Sequence, residues 1–262
     1  MKKNESLREL LYQLADDNFI HAFRGSEWLG LVPHIEEDVA YSSISQDTMG
    51  HAYMFYQLLE DLGEGNLNQI AHGRKPEQFR NAIILEEKNG PGSYLEKPDY
   101  DWAFTVVRNL LYSHFKTIQL ESLKQSSYEP LSIVSRKIQS EQYYHLMHWE
   151  TWFTQLMLST EVARTKMEDA IKRIWKDLGG LISLGNYGDE ISANQYIDSE
   201  QKLETRFLES IEKVFKKVEF TIDENPGMLR GNGRNGEHTE DLKQAIETLS
   251  EVYLSDLEAA SW

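Results

Sequence analysis

Apolar residues recur along this chain at helical spacing, and in four places polar residues break the apolar stripe. The first stripe is Leu7, Leu11, Leu14, Asn18, Ala22 and Gly25. The second is Tyr41, Ile44, Thr48, His51, Phe55, Leu58 and Leu62. The third is Ala103, Val106, Leu110, Ser113, Thr117 and Leu120, and the fourth Leu131, Val134, Ile138, Gln142, His145, Trp149, Trp152 and Leu156. They predict amphipathic helices over 6–24, 35–62, 100–124 and 130–158. Ser6, with Glu9 three residues on, reads as the first N-cap, and Asp99 as the third. Gly63 and Gly65 stop the second helix, and Pro130 suits the first turn of the fourth. Further helices are expected over 161–178, capped by Thr160 and stopped by Gly179-Gly180, then over 199–217 and 240–257. One or two short helices fall around 79–85, and 226–236 is expected to be the loosest segment. No strand pattern and no repeat of 20 to 50 residues is present, so solenoids are out. The architecture expected is all-α and a single domain over 1–262: a four-helix core bundle over about 6–158, with accessory helices over about 161–257.

The polar interruptions lie at one depth: Asn18, Thr48 with His51, Ser113, and Gln142 with His145. Each buried polar group costs roughly 1–3 kcal/mol unless hydrogen-bonded, so six at one level predict a connected polar layer. Two helices carrying polar-x-x-His inward match a di-iron bundle, where each pair is Glu-x-x-His and the other two helices add one carboxylate each. Here Thr48 and Gln142 stand where those glutamates would be. Iron pairs need anionic oxygens to offset several positive charges, and none of the four polar positions supplies one. The six residues are therefore expected to be degenerate di-iron positions, with no catalytic, cofactor-binding or metal role. Asp17, Asp47 and Glu141 lie one residue off these positions, about 100° around the helix, with Asp16 one residue further. Asp47 with His51, and Glu141 with His145, are i,i+4 pairs that would hold a single metal if the helices rotated.

Composition narrows the rest. The chain has 262 residues, no cysteine and a net charge of −16. Disulfides, thiolate metal sites and cysteine nucleophiles are excluded. The acidic balance argues against nucleic acid and anionic membranes and suits a partner with a basic face. No apolar run is long enough to span a membrane, and MKKNESLREL lacks the apolar core of a signal peptide, so a cytoplasmic location is expected. The glycine-rich stretches follow no strand, which removes phosphate loops, and no nucleophile elbow occurs. Tyr143, Tyr144, Trp149, Trp152, Phe79, Tyr53 and Tyr56 are expected in the core. Glu36-Glu37-Asp38 suits a helix start on macrodipole grounds alone.

Several segments resemble a known family: Ala15-Asp16-Asp17-Asn18, Gly25-Ser26-Glu27-Trp28, Asp47-x-x-Gly50, Glu141-Gln142-Tyr143-Tyr144-His145, and Gly233-Arg234-Asn235-Gly236-Glu237-His238-Thr239-Glu240. The chain resembles the ferritin-like subunits of bacterial multicomponent phenylacetyl-CoA epoxidases, the phenylacetic acid catabolic protein family, and among them the non-catalytic structural one. The catalytic subunit carries Gln-Asp-Glu-x-Gly-His where this chain has Gln46 to His51, and Glu-Glu-x-x-His where it has Glu141 to His145. By the same register the two remaining carboxylates fall on Asn18 and Ser113. The resemblance implies a ferritin-like bundle and a structural subunit that pairs with the catalytic di-iron subunit, alongside the complex's other subunits, in epoxidising the aromatic ring of phenylacetyl-CoA. It implies no cofactor in this chain and di-iron in the partner. Two other readings are a free-standing metal-dependent oxidase and a small-ligand-binding bundle. Ile35, Val39, Met49, Tyr53 and Tyr56 lie partly off the inward stripe and point to a partner face on the second helix, which could also form a homodimer when the chain is isolated. Restoring carboxylates together at Asn18, Thr48, Ser113 and Gln142 is expected to recover metal affinity without turnover, as read by elemental analysis and oxygen uptake. Turnover by that variant alone would mean that more of the site survives than these positions imply.

Overall fold

The computed structural model describes residues 2–257, with side chains from Glu5. Among the described residues there are eleven α-helices and no strand. The helices are α1 (Lys2–Ser26), α2 (Ile35–Asp61), α3 (Leu67–His72), α4 (Ile83–Glu86), α5 (Trp102–Leu123), α6 (Glu129–Met157), α7 (Glu161–Trp175), α8 (Gly179–Ile182), α9 (Gly188–Ala193), α10 (Glu200–Lys217) and α11 (Glu240–Ser255). Short links join α1 to α2 and α5 to α6, so each pair folds back on itself. The two pairs form a ferritin-like four-helix bundle, and α7 and α10 pack on the far side of α5. No helix among the described residues is long and apolar enough to cross a membrane.

Most elements fall where the periodicity predicts, and the differences have local causes. Ser6 lies inside α1 and is buried, because the polar residues before it carry no breaker and continue the helix to Lys2. The cap of α5 is Asp101, which accepts from the Phe104 N–H at 3.1 Å. Asp99 cannot serve, because backbone bonds from Asp99 to Pro91 and from Asp101 to Asn89 hold this stretch extended up to residue 101. Thr160 caps α7 as expected, accepting from Ala163 N–H. Gly179-Gly180 opens α8 instead of ending a longer helix. Nearly every residue of α5 is buried, where a single inward stripe was expected, because α6 covers one flank and α7 and α10 cover the other. On α6 the inward stripe drifts to Phe153 and Met157 in place of Trp152 and Leu156. Tyr143 and Tyr144 are each 63% exposed and Tyr53 is 56% exposed, contrary to the core placement expected of them. Trp149, Phe79 and Tyr56 are buried.

The largest difference is at Pro226 to Gly236. Composition marks it as loose, yet it is tied down along its length. Gly227 N–H donates to Trp175 O at 2.9 Å, and Arg230 reaches Asp177 and Glu87, each at 2.7 Å. Arg234 is buried and forks onto both Asp17 oxygens at 2.7 and 2.8 Å. A Cβ on Gly233 would stand 2.0 Å from Asn81 O, so glycine alone lets the loop approach this closely. His238 Nδ1 and Thr239 Oγ1 then meet the buried Glu86 carboxylate at 2.7 and 2.9 Å. Asp16 beside Asp17 is likewise taken, by Arg74 and the Tyr56 hydroxyl, the latter at 2.6 Å. The Ala15–Asn18 and Gly233–Glu240 segments, remote in sequence, thus meet in one ionic joint. Arg234→Met strands a buried Asp17 carboxylate, and breaking such a pair costs about 3–5 kcal/mol. Urea unfolding should register that loss. Unfolding at the parent's midpoint would mean the joint contributes little.

Candidate functional site

The four bundle helices bring Asn18 (α1), Thr48 and His51 (α2), Ser113 (α5), and Gln142 and His145 (α6) into the core, and all six are buried. Their rings and amides do not form one closed net. Thr48 Oγ1 donates to Ile44 O on its own helix at 2.7 Å. Asn18 Nδ2 likewise donates to Leu14 O at 2.7 Å. Gln142 Nε2 crosses from α6 to Ser113 O on α5 at 3.1 Å. The His51 and His145 rings lie 6.0 Å apart, tilted by 39°.

What joins the layer is Lys116, a residue outside the stripes read from the sequence. It lies three residues beyond Ser113 on α5 and is 2% exposed. Its Nζ donates to Asn18 Oδ1 at 2.6 Å and to His51 Nδ1 at 2.9 Å. The Glu141 carboxylate facing Nε2 only accepts, so His51 Nε2 carries the proton and Nδ1 accepts from Lys116. That Nε2–H donates to Glu141 Oε2 at 2.7 Å. His145 Nε2 meets Asp47 Oδ2 at 3.0 Å. Both histidines therefore cross the seam between α2 and α6: Asp47 pairs with His145 and Glu141 with His51. The i,i+4 pairs on single helices that would make a lone metal site do not form. Lys116 was missed because it lies beside the inward stripe. The signal available was a lysine in the middle of a helix, three residues beyond Ser113 and so near the same face.

Charge follows the same geometry. Burial pushes the Lys116 ammonium down to about 7, while the Glu141, Asp17 and Asp47 carboxylates pull it back up. Burial, then the Lys116 charge and His145, holds the His51 imidazole far below its usual value. Burial and the Lys116 charge bring His145 down to about 4, against the pull of Asp47. At neutral pH both histidines are thus neutral, and their contacts with Glu141 and Asp47 are hydrogen bonds to carboxylates rather than ion pairs. Nearby, Glu37 is buried and accepts from Trp152 Nε1 at 2.6 Å and pairs with His148 Nε2 at 2.9 Å, a specific role beyond the helix macrodipole.

A di-iron pair does not fit these residues. The stripe positions offer no carboxylate, both His51 nitrogens and His145 Nε2 are engaged, and a lysine side chain fills the space between helices. No group of three or more His, Asp or Glu that could hold a metal ion occurs among the described residues.

The helical bundle and its inward histidine pair define a protein of the ferritin-like class. The chain belongs to the phenylacetic acid catabolic protein family, whose model matches residues 1–262. It is 25% identical, over 231 residues, to a protein of Escherichia coli (strain K12) described as the C subunit of 1,2-phenylacetyl-CoA epoxidase. That match covers 88% of this chain and 89% of the relative.

The depressed imidazoles make stability depend on pH with a defined sign. Unfolded histidine takes up a proton below about 6.5, whereas folded His145 does so only near 4. Unfolding in that window binds a proton, so stability present above pH 6.5 falls as pH drops toward 4. The separation of the two values corresponds to roughly 3 kcal/mol when fully developed. His145→Gln is expected to flatten this part of the urea-midpoint profile. An unchanged slope would place the pH dependence in other groups.

Proposed function

We propose that this chain is the non-catalytic subunit of a multicomponent phenylacetyl-CoA epoxidase, pairing with and supporting a catalytic subunit that holds the di-iron centre. The observation that carries this reading is Lys116: a buried cation joins the helices in the region where a metal pair would need carboxylates. Family membership and the name of the E. coli relative supply the reaction class. The chain itself then contributes no cofactor, and the assembly works in the cytoplasm.

The outer face of α2 is the pairing surface in this reading. From Val39 to Leu59 the only Asp, Glu, Lys or Arg is Asp47, in a chain that is 27% charged. Ile35, Val39 and Tyr53 are exposed there, 77%, 65% and 56%. Tyr143, Tyr144 and Met147 are exposed on α6, across the seam. Tyr56 does not belong to this face, because it is buried against Asp16. Permanent partners bury upward of about 2,000 Å², with a core more apolar than the remaining surface. The acidic remainder stays in solvent.

Co-expression with the catalytic subunit of such a complex, followed by gel filtration and iron analysis, tests the proposal. The parent chain is expected to co-elute with that subunit and to carry no stoichiometric iron when purified alone. Met49→Lys and Tyr53→Glu should each weaken co-elution while the variants stay folded. Two irons per isolated chain would defeat the reading. Full co-elution of both variants would place the interface elsewhere.

A further inference from the structure

We infer that Lys116 is the substitute for the metal pair, a built-in cation that holds the four core helices together and bars metal from the site even when carboxylates are restored. The inference rests on the non-catalytic reading above and gives it a mechanism. A metal pair in such a bundle binds groups from four helices at once. Lys116 does the same through short bonds. It rises from α5, donates to Asn18 on α1 and to His51 on α2, and through His51 reaches Glu141 on α6. One ammonium carries less charge than two metal ions and so needs fewer anions around it. The ligands it finds fit that demand: a neutral amide and a neutral imidazole in direct contact, with Glu141 at the far side of the seam.

The bonding also removes the histidine as a ligand. With the Nε2 proton committed to Glu141, the His51 Nδ1 lone pair is the acceptor for Lys116 Nζ and is not free for a metal. The lysine stem occupies space as well as charge, and it is buried within the layer. A carboxylate introduced at Thr48 or Gln142 would find an ammonium already within the layer and pair with it. An incoming metal ion would then have to compete with that ammonium for the carboxylate. The carboxylate restorations considered from sequence alone therefore lack one change, the removal of Lys116.

Three proteins test this: the Thr48→Glu/Gln142→Glu variant, the same variant with Lys116→Met added, and the parent chain. Cobalt(II) binding is read by equilibrium dialysis and by the visible spectrum, with folding checked by circular dichroism. The carboxylate pair alone is expected to bind no better than the parent. Adding Lys116→Met is expected to tighten binding at least about tenfold. Equal binding with and without Lys116, or a folded triple variant that binds nothing, would overturn the inference. Should the triple variant fail to fold, the parent chain decides. Long-range proton–nitrogen spectra should place the His51 proton on Nε2, with Nδ1 as acceptor, and a proton on Nδ1 would overturn the assignment. The outcomes separate the two readings. Stoichiometric iron in the unmodified chain defeats the non-catalytic function, whereas metal binding by the carboxylate pair with Lys116 in place defeats only the role given to the lysine.

Discussion

A charge taken out of water must be met by partners, and α5 carries two charges into the interior, Arg108 and Lys116. Arg108 donates to Glu87 O at 2.7 Å and to Asn89 Oδ1, and its guanidinium lies over the Phe104 ring. Lys116 is met by Asn18 and His51. Because α5 is enclosed on all sides, these two cations dictate what their neighbours must be. The Glu87–Asn89 stretch has to bend in to offer a carbonyl and an amide, and α1 and α2 have to offer acceptors at matching depth. The polar layer of the bundle is in this sense the shell of a buried cation.

The same requirement organises the accessory region. Asp16 and Asp17 leave the bundle sideways from α1, fully buried, so each needs a cation brought from elsewhere in the chain. Arg74 arrives from the segment after α3 and Arg234 from the glycine-rich loop before α11. Glu86 and Glu87 extend the pattern with His238, Arg230 and Arg173. Each such pair is strongly destabilising to break, though a well-packed apolar substitute could be as stable. What the pairs supply is register: they tie loops of little apolar content to single positions on the bundle. The C-terminal third is held to the core in this way as well as by the apolar faces of α10 and α11.

For function, the arrangement separates two tasks that ferritin-like bundles can combine. The interior holds its helices with a lysine and hydrogen bonds, and has no use for open coordination positions. The exterior retains a long face on α2 whose one charged residue from Val39 to Leu59 is Asp47, with exposed aromatic residues beside it on α6. An interior without ligand carboxylates and an exterior suited to burial fit a supporting subunit better than an oxidase acting alone.

How much of this the sequence contained depends on the range of the interaction. The four bundle helices were readable from apolar spacing, because burying one face of a helix constrains residues three and four apart, and that constraint is local. The depth of Asn18, Thr48, His51, Ser113, Gln142 and His145 followed from the same spacing. Caps were readable where the side chain and its backbone partner are neighbours, as at Thr160, and misplaced where backbone bonds to the preceding loop intervened, as at Asp99. Lys116 was not readable as the centre of the layer, because the partners that define that centre, Asn18 and His51, lie on α1 and α2, and spacing within α5 is silent on them. The crossing of Asp47 to His145 and of Glu141 to His51 depends on how α2 and α6 face each other, and spacing within either helix is silent on that. Pro226 to Gly236 looked loose because glycine and asparagine favour turns. Tertiary structure ties it down, since Gly233 and Gly236 let the backbone approach the Asn81 and Glu77 carbonyls closely, and Arg234 between them reaches Asp17. Periodicity thus determined which faces turn inward, and only the assembled helices decided which buried charge meets which partner, because that pairing is set by contacts between residues up to 217 positions apart.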